Sequence, residues 1–424
     1  GATFSNRMFF GEDAMADFGA GDLDAFRAET RAWLESNYPA ELRDPKAKTD
    51  PEAIWGGRAF ADNTTDPQIV WMRRAAEKGL TAPTWPKEYG GGGLTAAQAR
   101  VIDQELAAGR YRGPLSSFGL WMLGPVLLEY ANDEQKREHL PRIIRGEIRW
   151  CQGYSEPGAG SDLAGLQTRC EDKGDHWLIN GQKIWTSYAD KADWCFCLVR
   201  TDTTKKHEGI SFVLINMRQP GVEVRPIKLI AGNSPFCETF FTNARVEKND
   251  MVGPLNGGWT VGKRLLEHER NSLSGGTDGP PRVDPADLTR HAKTYIGLDE
   301  SGRLRDRDFR TRMTQNQMDA HAYALTLRRV AEAGRSERGP SAAVSIMKLA
   351  ASKLHTDTAE LIVEAMGRQG LGWEGEGFSP EELAAGRQYL RIKSSTIAGG
   401  STEVQNNIVS KRVLGLPDAT SHTY

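Results

Sequence analysis

The chain has few cysteines, no long apolar run and no excess of one charge, and each shortage excludes a class of protein. Its 424 residues carry 54 Lys and Arg against 56 Asp and Glu, so nothing calls for a nucleic acid or an anionic membrane as partner. No apolar run reaches the roughly 20 residues of a transmembrane helix, and no basic start followed by an apolar stretch indicates a secretory signal. We therefore expect a cytoplasmic protein with no nucleic-acid or membrane partner.

The cysteines also argue against a metal centre and against disulfide bonds. Their spacings fit no metal-ligand pattern, and an odd, unpatterned set is typical of reduced thiols in a cytosol. Cys195 and Cys197 would lie on the same face of one strand. The five cysteines are Cys151, Cys170, Cys195, Cys197 and Cys237.

Helical and strand periodicities divide the chain into three parts. Helical patterns dominate residues 1–149 and return over 257–424, with a Gly/Pro/Asp-rich interruption at 274–287. Between them, residues 150–256 carry short β-rich runs separated by turn residues without intervening helices, a pattern typical of an antiparallel barrel or sandwich. The predicted fold class is α+β, mostly α, with an N-terminal helical domain, a middle antiparallel β-barrel or sandwich domain and a C-terminal helical bundle.

Individual elements can be predicted from caps and turns. Asp22 and Thr95 are good N-caps for two helices, of which the second covers 96–108, and Gly79 ends a helix predicted over 71–78. Residues 40–67 are polar and broken by Pro and Gly, which predicts a loop. The predicted strands after residue 150 are 177–179, 194–200, 210–215, 222–226 and 239–241.

The most informative stretch is Trp150 to Asp162, followed by Gly181 to Ser187. The first is a strand that runs into a Pro-Gly-Ala-Gly turn, where Gly158 and Gly160 let the backbone approach a ligand closely. Nearby hydroxyls offer hydrogen bonds, and Trp185 would supply an aromatic wall. These properties suit a planar cofactor, while a surface hairpin with a Gly-rich turn explains the composition equally well.

A family resemblance separates these two interpretations. Residues 154–162 together with 179–187 resemble the flavin-binding signature of the acyl-CoA dehydrogenases, and residues 396–405 resemble a second signature of that family. The match runs in order from about Phe26 to Pro417. It implies FAD-dependent α,β-dehydrogenation of an acyl-CoA thioester to the 2-enoyl-CoA, an oxidoreductase step of lipid metabolism and β-oxidation, with electrons passed to an electron-transfer flavoprotein.

The position of the catalytic base departs from many members of the family. They carry a carboxylate in the C-terminal signature just before a Gly, where this chain has Gly399. One branch instead carries its base on a helix in a Glu-Arg pair, which is present here as Glu269-Arg270. By resemblance, Glu269 removes the Cα proton and a hydride passes from Cβ to N5 of FAD. The backbone N–H of Gly399 and a ribityl hydroxyl would polarise the thioester carbonyl.

The local sequence supports Glu269 independently of the resemblance. At helical spacing it shares a mostly apolar face with Gly262, Leu265, Leu266 and Leu273. A poorly solvated carboxylate has a raised pKa, in the range useful for a base. The alternative is a structural glutamate paired with a neighbouring Lys or Arg.

The remaining site residues follow from the resemblance position by position. The predicted cofactor-binding residues are Gln152, Tyr154, Ser155, Gly160, Ser161, Trp185, Thr186, Ser187, Glu364, Gly367, Arg368, Ser401, Thr402 and Glu403. The predicted substrate-binding residues are Ser161, Glu267, Arg270, Gly399 and Gly400.

Two of these regions depart from the family pattern. Glu364 stands where Gln is usual, and its charge near a diphosphate would need Arg368 or a similar cation to offset it. The Arg-x-x-Phe-Gly motif that grips FAD of a neighbouring subunit is absent between Asn271 and Leu304, so the AMP half of FAD would be held differently.

Assembly and electron acceptor follow from the resemblance alone. FAD lies at a subunit interface in the family, so a homotetramer is expected, although steroid-degrading members pair two related chains in a hetero-oligomer. The alternatives are an acyl-CoA oxidase, in which O₂ alone reoxidises the flavin, and a subunit with limited activity of its own. The motifs are most similar to the bacterial pimeloyl-CoA dehydrogenase large-subunit type, and no residue identifies the acyl group.

Overall fold

The computed structural model describes residues 22–44, 49–275, 285–333 and 343–417, with side chains for 22–44, 49–268, 286–330 and 346–417. It divides into two compact units. The first comprises residues 1–227 and 235–269, and the second comprises 228–234 and 270–424. The prediction has three domains, with boundaries after residues 149 and 256. A division into two units does not test those boundaries, which stay a prediction.

The first unit begins with helices whose N-termini are capped as the sequence indicates. The Asp22 carboxylate accepts the N–H of Asp24, and the Thr95 hydroxyl accepts the N–H of Gln98 in a capping box. The second helix starts before the predicted Trp71, because Asp66 caps it and Pro67 suits its first position. The helices are α1 (Leu23–Asn37), α2 (Pro67–Glu77), α3 (Ala96–Ala108), α4 (Gly124–Tyr130) and α5 (Asp133–Ile144).

An 8-stranded sheet follows. Its strands are β1 (Trp150–Gly153), β2 (Arg169–Asp172), β3 (His176–Ser187), β4 (Trp194–Arg200), β5 (Ile210–Asn216), β6 (Val222–Ile227), β7 (Phe236–Glu247) and β8 (Met251–Val252). The strand order is β6-β7-β3-β2-β4-β5-β8, with β1 paired to β4. The pairs are antiparallel, except that β1 runs parallel to β4 and one residue pair joins β2 to β4 in parallel.

The long strands β3 and β7 extend far beyond the short runs predicted at 177–179 and 239–241. Their pairing register shifts between Ile179 and Gly181 and again between Ile184 and Thr186. Each shift is a bulge that interrupts the alternation of buried and exposed residues on which the prediction relied. The strands β2 and β8 were not predicted, because runs of 4 and 2 residues carry too little periodicity.

The middle of the sheet is buried on both faces. Phe196 and Leu198 of β4 pack into a core shared with α4 and α5, and the alternate residues Cys195, Cys197 and Val199 pack into a second core. Burial of both faces explains why β4 reads as one continuous apolar run. All five cysteines are free and buried, so the predictions of no disulfide and of a shared face for Cys195 and Cys197 are confirmed.

The second unit is helical, and its core is centred on α9 (Ala343–Met366). Leu288, Phe309, Ile362 and Ile392 are buried together there. The order of helices, sheet and helices confirms the predicted fold class. Across the described residues, no helix combines the length and hydropathy needed to cross a bilayer. The remaining helices are α6 (Gly258–Gly275), which spans the division between the units, α7 (Pro285–Tyr295), α8 (Arg307–Ala333), α9 (Ala343–Met366), α10 (Pro380–Ile392) and α11 (Thr402–Ile408).

Candidate functional site

The Gly-rich stretch forms a tight turn beside β3. Glu156 and Ala159 exchange backbone hydrogen bonds of 3.1 and 3.0 Å, and the Ile184 N–H donates to the Ser155 carbonyl at 2.9 Å. A Cβ added to Gly158 or Gly160 would meet no atom within 4 Å. The turn therefore presents bare backbone to open space, which is the arrangement expected where a flat ligand lies against a chain.

A buried ion pair holds this turn from behind. Lys183 Nζ donates to Glu156 Oε1 at 2.8 Å and to the Tyr154 carbonyl at 3.1 Å, and the side chains of Lys183 and Glu156 are 0% and 8% exposed. The same carboxylate accepts the backbone N–H groups of Gln167 at 2.6 Å and Thr168 at 2.9 Å. Burial pushes the pKa of Glu156 upward, but the Lys183 charge and these hydrogen bonds outweigh it, so the net pKa is lowered.

Arg200 fixes the segment that follows the turn. Its guanidinium donates to the carbonyls of Ala164 at 2.6 Å and Leu166 at 3.2 Å, and to those of Lys205 and Lys206 at 2.9 and 2.7 Å. The sequence prediction missed Glu156, Lys183 and Arg200 as site residues. A lysine and an arginine within apolar strand runs were the available signal, since a buried cation needs partners.

Trp185 sits on the second β3–β7 bulge and presents its ring to solvent. Its φ of 62° lies in the left-handed region, which is rare for a bulky residue, and its side chain is 52% exposed. The ring packs edge-on against Phe236 with centroids 6.0 Å apart. Because strained backbone persists where the surroundings enforce it, often at ligand sites, this geometry favours the predicted aromatic wall.

The other predicted cofactor-binding residues of the first unit differ in whether their side chains are free to make a hydrogen bond to a ligand. Gln152 has a buried Nε2 with no hydrogen-bond partner among the described residues, so it is available as a donor. Ser155 and Ser187 are half-buried and Ser161 is exposed. Thr186 is buried, and its hydroxyl is hydrogen-bonded to the Cys237 carbonyl at 2.8 Å and to the Thr239 hydroxyl at 2.7 Å.

Tyr154 contributes to the protein core at this point. Its ring is buried, 6.3 Å from that of Phe196 and 6.5 Å from that of Phe212. Only the backbone of Tyr154, like that of Thr186, therefore suits a contact with a cofactor. With its open turn, unpartnered amide donor and exposed indole, the first unit fits the isoalloxazine end of a flavin.

Contacts made by residues 262–268 fix the rotation of helix α6 about its own axis. Leu265 is 0% exposed, and a Cβ on Gly262 would lie 3.1 Å from Leu198. On another face, Glu129 accepts hydrogen bonds of 2.9 Å from Arg264 and 3.3 Å from His268. Glu269 follows Leu265 by one helical turn and so lies on the same helix face.

The residues of α6 around the predicted base begin with Glu267. Glu267 is exposed and pairs with Arg264 at 2.8 Å. The helical backbone continues to Gly275, while the side chains of Glu269, Arg270 and Leu273 lie outside the described residues.

In the second unit, Gly399 and Gly400 form a turn with φ values of 66° and 91°. Gln405 Nε2 donates to the Gly399 carbonyl at 3.1 Å. Neither the Gly399 nor the Gly400 N–H donates to a described residue. Successive unengaged N–H groups in such a turn make a concavity suited to an anion or a polarised carbonyl.

The residues after this turn begin α11. The Ser401 hydroxyl accepts the Val404 N–H at 3.3 Å, and the Thr402 hydroxyl donates to the Thr396 carbonyl at 3.3 Å. Glu403 is exposed, and its pKa is lowered by its own backbone N–H and by the Ser401 hydroxyl.

The counter-ion of Glu364 is Arg312 of α8, which pairs with both of its carboxylate oxygens, one at 2.8 Å. The prediction allowed Arg368 or a similar cation in this role, and the structure gives the second of these. Arg368 is exposed and follows Gly367, whose φ is 56°. Fork-like pairing with an arginine neutralises Glu364 and removes the electrostatic objection to an anion nearby.

Comparisons with known proteins cover nearly the whole chain. Three family models match: acyl-CoA dehydrogenase N-terminal domain over residues 22–147, middle domain over 151–244 and C-terminal domain over 256–414. Acyl-CoA dehydrogenase IpdE1 of Mycobacterium tuberculosis is 35% identical over 405 residues, covering 93% of this chain and 98% of the relative. Acyl-CoA dehydrogenase FadE34 of the same organism is 37% identical over 345 residues, covering 81% of this chain and 45% of the relative.

Solved structures similar to this chain also match over nearly its whole length. The ChsE4-ChsE5 complex from M. tuberculosis matches with a TM-score of 0.70 and 29% identity, covering 94% of this chain and 98% of the matched chain. The Tcur3481-Tcur3483 steroid ACAD matches with a TM-score of 0.70 and 27% identity, covering 93% and 97% of the two chains.

Proposed function

Because the chain belongs to the acyl-CoA dehydrogenase family and is therefore an oxidoreductase acting on acyl-CoA, we propose that it desaturates a thioester between Cα and Cβ with Glu269 as base. The observation that carries the proposal is the open turn at Gly158 and Gly160, held by the Glu156–Lys183 pair beside the exposed Trp185. The family implies a flavin, and we propose FAD. When bound, FAD would accept the hydride from Cβ.

The chain's own residues have to acidify and remove a Cα proton. Glu269 follows the fully buried Leu265 by one helical turn, so its position in the chain falls on the same face of α6. We propose this face for the base because a carboxylate that is poorly solvated takes up a proton more readily than an exposed one. The Glu129 contacts with Arg264 and His268 stabilise the rotation of α6 about its axis.

The thioester oxygen gains charge as the proton leaves, and we propose that the N–H groups of the Gly399–Gly400 turn offset that charge. Its N–H groups donate to no described residue, and fixed backbone donors of this kind stabilise developing oxyanions. The lack of a side chain at Gly399 removes a carboxylate from the turn and leaves the backbone donors in place. We propose Glu267, Arg270 and Ser161 as further substrate contacts.

Two groups of residues would hold the cofactor. In the first unit, Gln152, Ser155 and Ser187 offer polar groups and Trp185 offers a ring face. In the second unit, the neutralised Glu364 and the exposed Arg368 are compatible with a diphosphate. The site residues given from the resemblance remain our proposal for both units.

The test is the substitution Glu269→Gln, which keeps size and most hydrogen bonding while removing the base. Flavin content should survive, and flavin bleaching by acyl-CoA should fall by more than the roughly 10²–10⁴-fold typical of a general base, since an unactivated Cα proton has no other acceptor. Glu300→Gln, at an exposed glutamate of the second unit, is the control. Bleaching of Glu269→Gln at near wild-type rate would show that Glu269 is not the base.

The proposed partners are an acyl-CoA, an electron-transfer flavoprotein and further copies of this chain in a homotetramer. Helix α8 supports assembly, because Met318 and Leu325 are 60% and 53% exposed two turns apart. A second candidate is a subunit of a hetero-oligomer, favoured by the likeness to the ChsE4-ChsE5 complex and to the Tcur3481-Tcur3483 steroid ACAD, each of which is named for two chains. Light scattering and a flavin spectrum of the chain purified alone distinguish them: a yellow tetramer supports the first, and a colourless or smaller species supports the second.

A further inference from the structure

One buried side chain holds the turn that has two consecutive glycines. Gln405 is 3% exposed, and its Nε2 donates to the Gly399 carbonyl at 3.1 Å. The Thr402 hydroxyl donates to the Thr396 carbonyl at 3.3 Å and closes the base of the same loop. Both glycines at the tip of the loop have positive φ. Among the described side chains, only that of Gln405 makes a hydrogen bond to this tip.

We propose that Gln405 is a positioning residue, which fixes the Gly399–Gly400 peptide so that the N–H groups of the turn are aimed at the thioester oxygen. This inference rests on the proposed function. Gln405 itself would touch neither substrate nor cofactor. Its effect would reach the reaction through the backbone of the turn.

The need for such a residue follows from the composition of the turn. Glycine has the widest backbone freedom of any residue, so two in succession lose the most entropy when a single conformation is required. Oxyanion donors contribute most when they are already oriented before the reaction. A turn without side chains cannot orient itself by packing, and an outside hydrogen bond is the available restraint.

Peptide geometry connects the Gln405 contact to one of the two donors, the Gly400 N–H. In a trans peptide the C=O and the next N–H point in opposite directions. Since the Gly399 carbonyl points toward Gln405, the Gly400 N–H points away from it. The fit is close, because a Cβ on Gly400 would come within 2.4 Å of Gln405 Nε2, whereas a Cβ on Gly399 would meet no atom within 4 Å.

The experiment measures proton acidity and flavin reduction separately. Gln405→Met keeps the side-chain length and removes the donor. The matched control is Gln317→Met, which removes an amide bonded to the Thr289 hydroxyl at 2.9 Å elsewhere in the second unit. Flavin bleaching is followed anaerobically with butyryl-, octanoyl-, palmitoyl- and pimeloyl-CoA and with the CoA thioester of a steroid carboxylic acid.

A second readout uses the 3-thia analogue of whichever of these thioesters bleaches the flavin fastest. Its sulfur blocks oxidation, and its α-carbanion gives a charge-transfer absorbance with the oxidised flavin, so a pH titration of that absorbance measures the pKa of the bound α-C–H. This pKa reports polarisation of the thioester carbonyl. A merely structural role for Gln405 would leave it unchanged in the folded, flavin-loaded fraction.

We expect Gln405→Met to bleach roughly 10- to 100-fold more slowly at saturating thioester, the range for misplaced catalytic groups, with KM and flavin content near wild type. The pKa of the bound analogue should rise by about one unit for each tenfold loss of polarisation. Gln317→Met should match wild type in both readouts. A wild-type rate and an unshifted pKa in Gln405→Met would overturn the positioning role.

A second variant covers the case in which Gln405→Met does not fold or loses its flavin. Gln405→Glu can donate to the Gly399 carbonyl when protonated and cannot when ionised. Its bleaching rate relative to wild type should therefore rise as pH falls through the pKa of the new carboxyl, and a pH-independent ratio overturns the proposal. If wild type itself is bleached by none of the thioesters, the proposed function fails and this inference fails with it. A bleached wild type with an equally fast Gln405→Met refutes the positioning role alone.

Discussion

Removal of Lys183 should destabilise the protein strongly, because its partner carboxylate would stay buried without a cation. The two side chains are 0% and 8% exposed and 2.8 Å apart. Breaking a buried pair on one side costs about 3–5 kcal/mol, since an uncompensated charge remains in a medium that solvates it poorly. Lys183→Met is the perturbation, as it keeps the length and apolar stem of the lysine.

The magnitude follows from what Glu156 would keep. After Lys183→Met it still accepts the N–H groups of Gln167 and Thr168, which compensate the charge in part and place the cost toward the lower end of that range. Glu156→Gln removes the countercharge and leaves the Lys183 ammonium with neutral acceptors, the new amide oxygen and the Tyr154 carbonyl at 3.1 Å. The double variant removes both charges, so its cost should be less than the sum of the single costs by about 1–3 kcal/mol.

The assay is urea unfolding followed by tryptophan fluorescence and by the release of flavin fluorescence. Both single variants should shift the midpoint to lower urea, and flavin should leave no later than the fold is lost, since the pair supports the cofactor turn. Arg145→Met breaks the Arg145–Glu147 pair, whose side chains are 36% and 45% exposed, and serves as a control that should cost no more than about 1 kcal/mol. Additive single costs, or a Lys183→Met variant as stable as wild type, would refute the reasoning.

His139 is buried between Trp150 and Trp194, and burial is the main cause that lowers its pKa from 6.5 to about 4. Between these two pH values the unfolded chain binds a proton at His139 that the folded chain does not bind. The free energy of unfolding therefore falls as the pH drops through that window. His139→Phe should remove about 3 kcal/mol of this dependence when unfolding is measured from pH 7 to pH 4, and His321→Phe, at an exposed position, should not. Gly400→Ala should slow flavin bleaching far more than Gly399→Ala, because only the former places a Cβ within 2.4 Å of the Gln405 amide; equal rates would contradict this.

The sequence predicted best where local chemistry decides the structure. The Thr95–Gln98 capping box fixes the start of α3, and the continuous apolar run of β4 identifies that strand at both ends. These signals work because a cap satisfies N–H groups within one turn and a strand buried on both faces needs no alternation. The five cysteines were predicted to form no disulfide, and all five are free and buried.

The sequence predicted worst where residues distant along the chain meet. Lys183 pairs with Glu156 across 27 positions, and Arg312 pairs with Glu364 across 52, so neither contact has a local pattern. Bulges hid most of β3, because an extra residue reverses the alternation on which strand prediction depends. The resemblance gave the position of Trp185, but its left-handed backbone is a consequence of the bulge and could not be predicted from residue type.

The last prediction concerns whether the base can be moved back to the C-terminal turn. Glu269→Gln combined with Gly399→Glu should recover part of the bleaching lost in Glu269→Gln alone. A side chain at Gly399 would enter open space, since its Cβ meets no atom within 4 Å, and the Gln405 hydrogen bond uses the backbone carbonyl and is unaffected. The cost is the left-handed φ of 66°, about 1–2 kcal/mol for a residue with a Cβ, which predicts recovery well below wild type. Recovery in the double variant, with none in Glu269→Gln combined with Gly399→Gln, would indicate that carboxylates at the two positions reach the same Cα proton. Equal activity of the two double variants would refute that geometry, because the glutamine has the same size and cannot accept the proton as a carboxylate does.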